Sequence, residues 1–530
     1  MIQFFDLRLP IAEEKNLPLS EVLAAEQLKI SNNRIKQCRL IRRSIDARSK
    51  VIKVNLRYQV FIDEEPKKEQ AAFQFQSVKN APAVHIVGCG PAALFAALQL
   101  IDRGLKPVIY ERGKDVRSRR RDIAELNKNQ LLNPESNYCF GEGGAGTYSD
   151  GKLHTRSKKR GDVSKVLSAL VDFGAKEDIL YQAHPHIGTN KLPQIIVAIR
   201  DFILQSGGEI HFQHRLTDFN IQDQRVVSIE LNQKLTVPLE SLVLATGHSA
   251  RDIFYLLRQK GLSMEAKPFA MGVRVEHPQS TINQIQYHGN ELDDLLPPAT
   301  YQLVRQIDQR GVYSFCMCPG GIIAPCATSK GEIVTNGWSP SRRNNPFANS
   351  GIVVSVEQED WADYASEGPL AAMKFQMQVE QSAFQAANQK AVEGKSGQLA
   401  PAQGLLDFVY GRPSKDLPKC SYQPGVVPCR LDLLLPTFIA QRLQKAFLLF
   451  GKSMRGYLSN DAVVVGVESR TSSPVKIPRD RKKMHHLEIE NLYPVGEGAG
   501  YAGGIVSAAI DGMKAAAAIA DERKLEIEPR

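Results

Sequence analysis

Ten residues constrain this chain more than any others: Val84-His85-Ile86-Val87-Gly88-Cys89-Gly90-Pro91-Ala92-Ala93. Val84 to Val87 has buried-strand character, the glycines make a tight turn, and Ala92 to Leu100 carries apolar residues at helical spacing. Strand, turn and helix in that order predict a dinucleotide site. Gly88 allows the sharp turn, Gly90 lets backbone approach a pyrophosphate, and small Ala93 permits close helix packing. Pro91 and Ala92 open the helix, whose N–H groups and dipole favour a phosphate. A second strand, Pro107 to Tyr110, delivers Glu111 twenty-one residues past Gly90, where a carboxylate accepts from ribose hydroxyls. An acid there disfavours a 2′-phosphate, which argues against NADP at this position. The competing reading of the glycines alone is an ordinary strand-helix turn.

A chain of 530 residues holds two or three domains, because single cores stop growing well below that size. Its net charge of +10 suits anionic partners without choosing among nucleotides, acidic metabolites and RNA. No apolar run reaches the roughly 18 residues of a membrane span, and the N-terminus lacks a signal peptide's basic start and apolar core. Eight cysteines without regular spacing suit a reducing compartment, so a cytoplasmic location is expected.

Residues 1–78 read as a small basic βαββ-like module, with Ser20 as the cap of its helix. From Lys29 to Arg57 it has ten Lys or Arg against one acid, Asp46. A solvated face accounts for this, and a surface for RNA is the alternative. Residues 81–266 and 461–530 read as an α/β, Rossmann-like domain, and 267–460 as an inserted α+β substrate domain. The crossover after Glu111 holds a second basic run, Arg112, Lys114, Arg117, Arg119, Arg120 and Arg121. Arg112 falls within reach of cofactor phosphates, whereas most of the run coats a helix. Residues 141–152, Gly-Glu-Gly-Gly-Ala-Gly-Thr-Tyr-Ser-Asp-Gly-Lys, spend so much conformational entropy that backbone must closely approach a large flat ligand.

Downstream, Leu242 to Leu244 is a buried strand running into Ala245-Thr246-Gly247. Leu492 to Val495 runs into Gly496-Glu497-Gly498-Ala499-Gly500, and a helix follows Gly503-Gly504-Ile505. These elements, in this order, resemble the two-domain flavoproteins of the glutathione-reductase-like superfamily. The Gly-Gly-Ala-Gly-Thr segment, Phe315 to Gly321, Val467 to Pro474 and Gly496 to Ile505 are more closely similar to a family of bacterial FAD-dependent dehydrogenases. The resemblance covers nearly the whole chain and implies FAD as cofactor. It implies that Gly88, Gly90 and Ala93 hold the pyrophosphate and Glu111 the adenosine ribose. Gly143, Gly144, Ala145, Gly146 and Thr147 would lie by the pyrophosphate and flavin, and Glu497, where Asp is commoner, would take the ribityl chain. The helix opened by Gly503, Gly504 and Ile505 would face the flavin ring.

Only one full dinucleotide fingerprint is present, so hydride comes from NAD(P)H visiting transiently or from the substrate itself. Lys152 and His154, just after the glycine-rich segment, are candidates to meet a substrate anion. Glu468 and Arg470, two apart on a strand, point to one side and suit either substrate capture or an ion pair. Cys316 and Cys318 form C-x-C, open to a flavin-facing redox pair or to ordinary thiols. His184 and His186 read as loop histidines or as acid-base groups. The expected protein is an FAD-dependent oxidoreductase acting on a small anionic organic substrate; a flavoprotein acting with RNA is the alternative. Substrate identity and oligomeric state stay open.

Overall fold

The glycine turn sits at the centre of a five-stranded sheet in a computed structural model that describes residues 1–66, 70–154, 161–289, 295–388 and 397–527. Its strands run in the order Leu492–Pro494, Leu242–Leu244, Ala83–Val87, Lys106–Glu111, Glu209–Phe212. All neighbours are parallel. Strands covered on both faces read as continuous apolar runs, which is why Val84, Ile86, Val87 and Leu242 to Leu244 are buried. The helix Pro91–Asp102 is buried from Ala92 through Ile101. Against it lies the C-terminal helix Ile505–Ile527, packed so closely that a Cβ on Gly512 would come 1.9 Å from the Ala92 carbonyl oxygen. An antiparallel meander, Leu216–Gln222, Arg225–Leu231 and Leu235–Pro238, carries the chain between two of these parallel strands.

A seven-stranded sheet holds the largest core. Its order is Val304–Ile307, Arg310–Cys318, Phe347–Val356, Phe269–Pro278, Val463–Glu468, Ala400–Gly404, Val426–Pro428, antiparallel except for the last pair. The helices Ala371–Asn388 and Thr437–Ser453 contribute to this core, the second through Ile439, Leu443, Phe447 and Phe450. The strand Val463–Glu468 belongs here, between Phe269–Pro278 and Ala400–Gly404. The return to the nucleotide sheet therefore comes after Glu468, later than the boundary expected at 461. Where the chain leaves and re-enters, Glu265–Ala266 pairs with Val475–Lys476.

The N-terminal residues form a three-stranded antiparallel sheet, Ile2–Pro10, Lys53–Ile62, Ile35–Asp46, with the helix Ser20–Leu28 on one face. Ser20 is the first helical residue and not the cap; its hydroxyl bonds Glu21 at 3.0 Å, so the helix start carries no side-chain cap. Ile11 and Ile52 are buried in the core of the seven-stranded sheet, and Arg43 exchanges backbone hydrogen bonds with Tyr181 and Ala183. Several of the basic side chains are taken up by acids: Arg34 by Asp63, Arg43 by Glu14 and Arg48 by Asp46. No helix among the described residues is long and apolar enough to cross a membrane.

Candidate functional site

A cavity of about 430 Å³ opens at the carboxyl ends of the parallel strands, where open α/β sheets place ligands. Its floor is glycine for steric reasons. Gly88 has φ 101°, and a Cβ there would meet the Ala245 carbonyl oxygen at 2.4 Å. Gly144 faces Gly90 so closely that its Cβ would lie 3.1 Å from the Gly90 Cα. Two helix starts converge on this floor. The helix at Pro91 has no side-chain cap and no first-turn acid, and the helix at Ile505 has no first-turn acid. Their unpaired N–H groups and positive ends suit a pyrophosphate. Residues and geometry thus fit a dinucleotide cofactor.

The turn residues Gly88, Gly90, Pro91 and Ala92 line the cavity, as do Gly144 to Gly146, Ala245 to Gly247, Gly496, Glu497 and Gly503 to Ile505. Ala93, Gly143 and Thr147 do not, contrary to expectation. Ala93 is fully buried in helix packing. A Cβ on Gly143 would strike Ile196 and Thr147, and the Thr147 hydroxyl donates to the Glu142 carbonyl at 2.6 Å. These two residues close the glycine loop from behind. Its anchor is Arg119, fully buried, which donates to the carbonyls of Asn137, Tyr138, Glu142 and Gly144 and to the Thr147 hydroxyl. The basic run had placed Arg119 on a solvated helix face.

Glu111 also differs from expectation. Its carboxylate accepts from the backbone N–H groups of Cys89, Gly113 and Gly141 at 2.8 to 2.9 Å. A carboxylate has about four acceptor positions, so about one remains for a ribose hydroxyl where two were expected. Arg112 lines the cavity but is held by Glu135 at 2.7 Å and Asp252 at 2.9 Å, its guanidinium stacked over Phe140. It carries no charge to spare for a phosphate. His248 Nδ1 stands 3.4 Å from a Glu497 carboxylate oxygen at the same wall.

The opposite wall comes from the seven-stranded sheet and the loops around it. Glu468 and Arg470 do not pair with each other. Glu468, at the end of its strand and 1% exposed, binds Arg274 at 2.7 Å and lies outside the cavity, which corrects its assignment to substrate. Arg470 lines the cavity and binds Glu332 and Glu380, both at 3.1 Å. Arg251 binds the same two acids at 3.0 and 2.8 Å. Lys152, His154 and Cys316 line the cavity. The Lys152 ammonium lies 3.6 Å from Cys316 Sγ, 3.8 Å from Cys318 Sγ and 3.5 Å from an Asp150 oxygen, and donates to the Met317 carbonyl. Burial would lower the Lys152 pKa, but the two sulfurs and Asp150 outweigh it and raise it. The Cys318 hydrogen bond, helped by Lys152 and Arg274, holds the Cys316 thiol well below its usual range against the opposing effect of burial. Among the described residues, no group of three or more His, Cys, Asp and Glu is arranged to hold a metal ion.

Residues 268–471 match the family described as FAD-dependent protein, C-terminal domain-like, and residues 1–61 match a domain family of unknown function. The dinucleotide cavity of the parallel sheet is walled on one side by that matched segment. The chain belongs to the family of an uncharacterized protein of Clostridium beijerinckii, with which it is 39% identical over 523 residues, 95% of this chain and 96% of that protein. Solved structures align at lower similarity. CtdE in complex with FAD is 9% identical over 83% of this chain and 84% of its own, with a TM-score of 0.32. A geranylgeranyl bacteriochlorophyll reductase-like protein of Thermoplasma acidophilum is 12% identical over 84% and 80%, with a TM-score of 0.35.

Proposed function

We propose that the chain is an FAD-dependent oxidoreductase that acts on a small, anionic organic substrate held between the cofactor and the seven-stranded sheet. The observation that carries this reading is the convergence of two helix starts and the Gly90–Gly144 backbone contact on a cavity whose other wall presents Lys152 and Arg470. The helix N–H groups bind the pyrophosphate, and the free acceptor position of Glu111 orients a ribose hydroxyl. Lys152 provides the positive charge that favours an anionic substrate, while Arg470, neutralised by Glu332 and Glu380, shapes the wall beside it. FAD bound there supplies a two-electron donor and acceptor.

Gly503→Val tests the cofactor. A Cβ at Gly503 meets nothing within 4 Å, and its φ is not positive, so the variant folds while its side chain intrudes into the cavity. The expected result is wild-type protein that releases FAD on denaturation, and a Gly503→Val protein that is folded and colourless. Wild-type protein that neither carries nor takes up FAD overturns the reading. Anaerobic mixing with NADH and NADPH, followed at the flavin absorbance band, identifies which of the two, if either, serves as donor.

A further inference from the structure

We infer that Cys316 and Cys318 are a dithiol that exchanges with a small disulfide substrate in this cavity, Cys316 attacking and Cys318 resolving. The placement of the two residues differs in the way such a pair requires. Cys316 is partly exposed and lines the cavity; Cys318 is fully buried behind it. The strand that carries them is irregular here, its register jumping from Phe315 opposite Gly351 to Cys318 opposite Asn349. Three steps on one strand face two on the other, a β-bulge, and Cys316 takes the left-handed φ of 49°. Bulges re-aim side chains next to active sites, and a non-glycine residue in this conformation stores strain that the surroundings must hold. Arg274 provides that hold, donating to the Cys316 carbonyl at 3.3 Å.

The sulfurs are neighbours. Both touch the same Lys152 ammonium, and the Cys318 thiol lies 3.3 Å from the Cys316 carbonyl oxygen. A cation beside a partly exposed sulfur is the setting of a nucleophilic thiolate. Other cysteines lack this setting: Cys38, Cys89 and Cys326 are buried, and Cys139, although on the cavity wall, directs its sulfur at the Cys326 carbonyl.

In the exchange, the Cys316 thiolate attacks one sulfur of the substrate, forming a Cys316 mixed disulfide and expelling the first thiolate. Cys318 then gives up its proton and attacks the Cys316 sulfur, closing the Cys316–Cys318 disulfide and expelling the second half as a thiol. One disulfide becomes two thiols, and the pair loses two electrons. Return of the pair to the dithiol requires a two-electron donor of the flavin class, and in that respect alone the inference rests on the proposed function.

The test uses the full-length protein as purified and an anionic aromatic disulfide, 5,5′-dithiobis(2-nitrobenzoate), with peptide mass mapping. Wild type is expected to release two thionitrobenzoates for each Cys316–Cys318 disulfide formed and to retain none on the pair. Cys318→Ser should release one and keep one on Cys316. Lys152→Met should slow the reaction of Cys316 near neutral pH, because the thiolate loses the ammonium beside it. The inference is overturned if Cys316 reacts no faster than Cys429, or if wild type retains the label on Cys316 without closing the disulfide. Both of these readings come from wild type and hold even if a variant fails to fold. Bound FAD is measured on the same sample: a colourless protein that closes the pair overturns only the flavin reading, and a yellow protein with inert Cys316 overturns only this one.

Discussion

Two clusters of charge meet the cavity from the side of the seven-stranded sheet, and they follow opposite plans. Around Arg470, two guanidinium groups and two carboxylates cross-pair, and Ser469, Thr328 and Gln376 take up remaining bonds. Around Lys152, the pairing is left incomplete. Asp150 Oδ1 and Arg343 Nε make no hydrogen bond among the described residues, and the partners of the ammonium include two sulfurs. A fully satisfied buried network rigidifies its surroundings, whereas unsatisfied polar atoms persist where chemistry uses them. The first cluster joins helix Ala371–Asn388 and the segment after strand Val463–Glu468 to helix Arg251–Gln259 of the nucleotide side; it is a clamp. The second is open toward the cavity.

Stability should separate them most. Arg470→Met strips one guanidinium from Glu332 and Glu380, both buried, and is expected to cost about 3–5 kcal/mol in urea unfolding. Lys152 is 35% exposed, so Lys152→Met should cost under about 1 kcal/mol. If the two costs are equal, or their order is reversed, the distinction between clamp and reactive cluster fails.

Acid should loosen the clamp by a smaller amount. Burial alone would raise the Glu380 carboxyl, but Arg251 and Arg470 outweigh it and hold it at about 2. An unfolded glutamate titrates near 4.3, about two units higher. Between those values the unfolded chain binds more protons, so the Glu380 contribution is complete above about pH 4.3 and is lost as pH falls toward 2. Melting curves of wild type and Glu380→Gln should therefore lie furthest apart at neutral pH and draw together across that window. A gap independent of pH would mean that Glu380 acts through shape alone.

What the sequence disclosed divides along the same line. The glycine turn, the Ala245–Gly247 and Gly496–Ile505 segments and the parallel strands are local patterns, in which conformation and ligand approach are written into consecutive residues. The partners of Arg470, Glu468 and Lys152 are not, because each comes from distant chain: Glu332 and Glu380, Arg274, and Cys316 and Cys318. Arg119 misled for the same reason. Its neighbours in sequence are basic and exposed, yet the glycine loop folds over it. Gly512 had no visible signal inside an alanine-rich helix, since only the approach of the Ala92 backbone makes a side chain there impossible.

The smallest effect tests the open cluster most sharply. Asp150 is 1% exposed and lies 3.5 Å from Lys152 and 3.3 Å from Arg343, and its negative charge opposes the effect of Lys152 on Cys316. Asp150→Asn keeps the shape and removes that charge. The Cys316 thiol should then ionise more readily, and the onset of its reaction with iodoacetamide should move to lower pH. Lys152→Met should move the onset to higher pH. Stability should change little in Lys152→Met, whose side chain is 35% exposed. Opposite shifts from two nearly isosteric changes would show that electrostatics governs the thiol. Shifts of the same sign would mean that both variants merely loosen the bulge at Cys316, and the cluster would be structural after all.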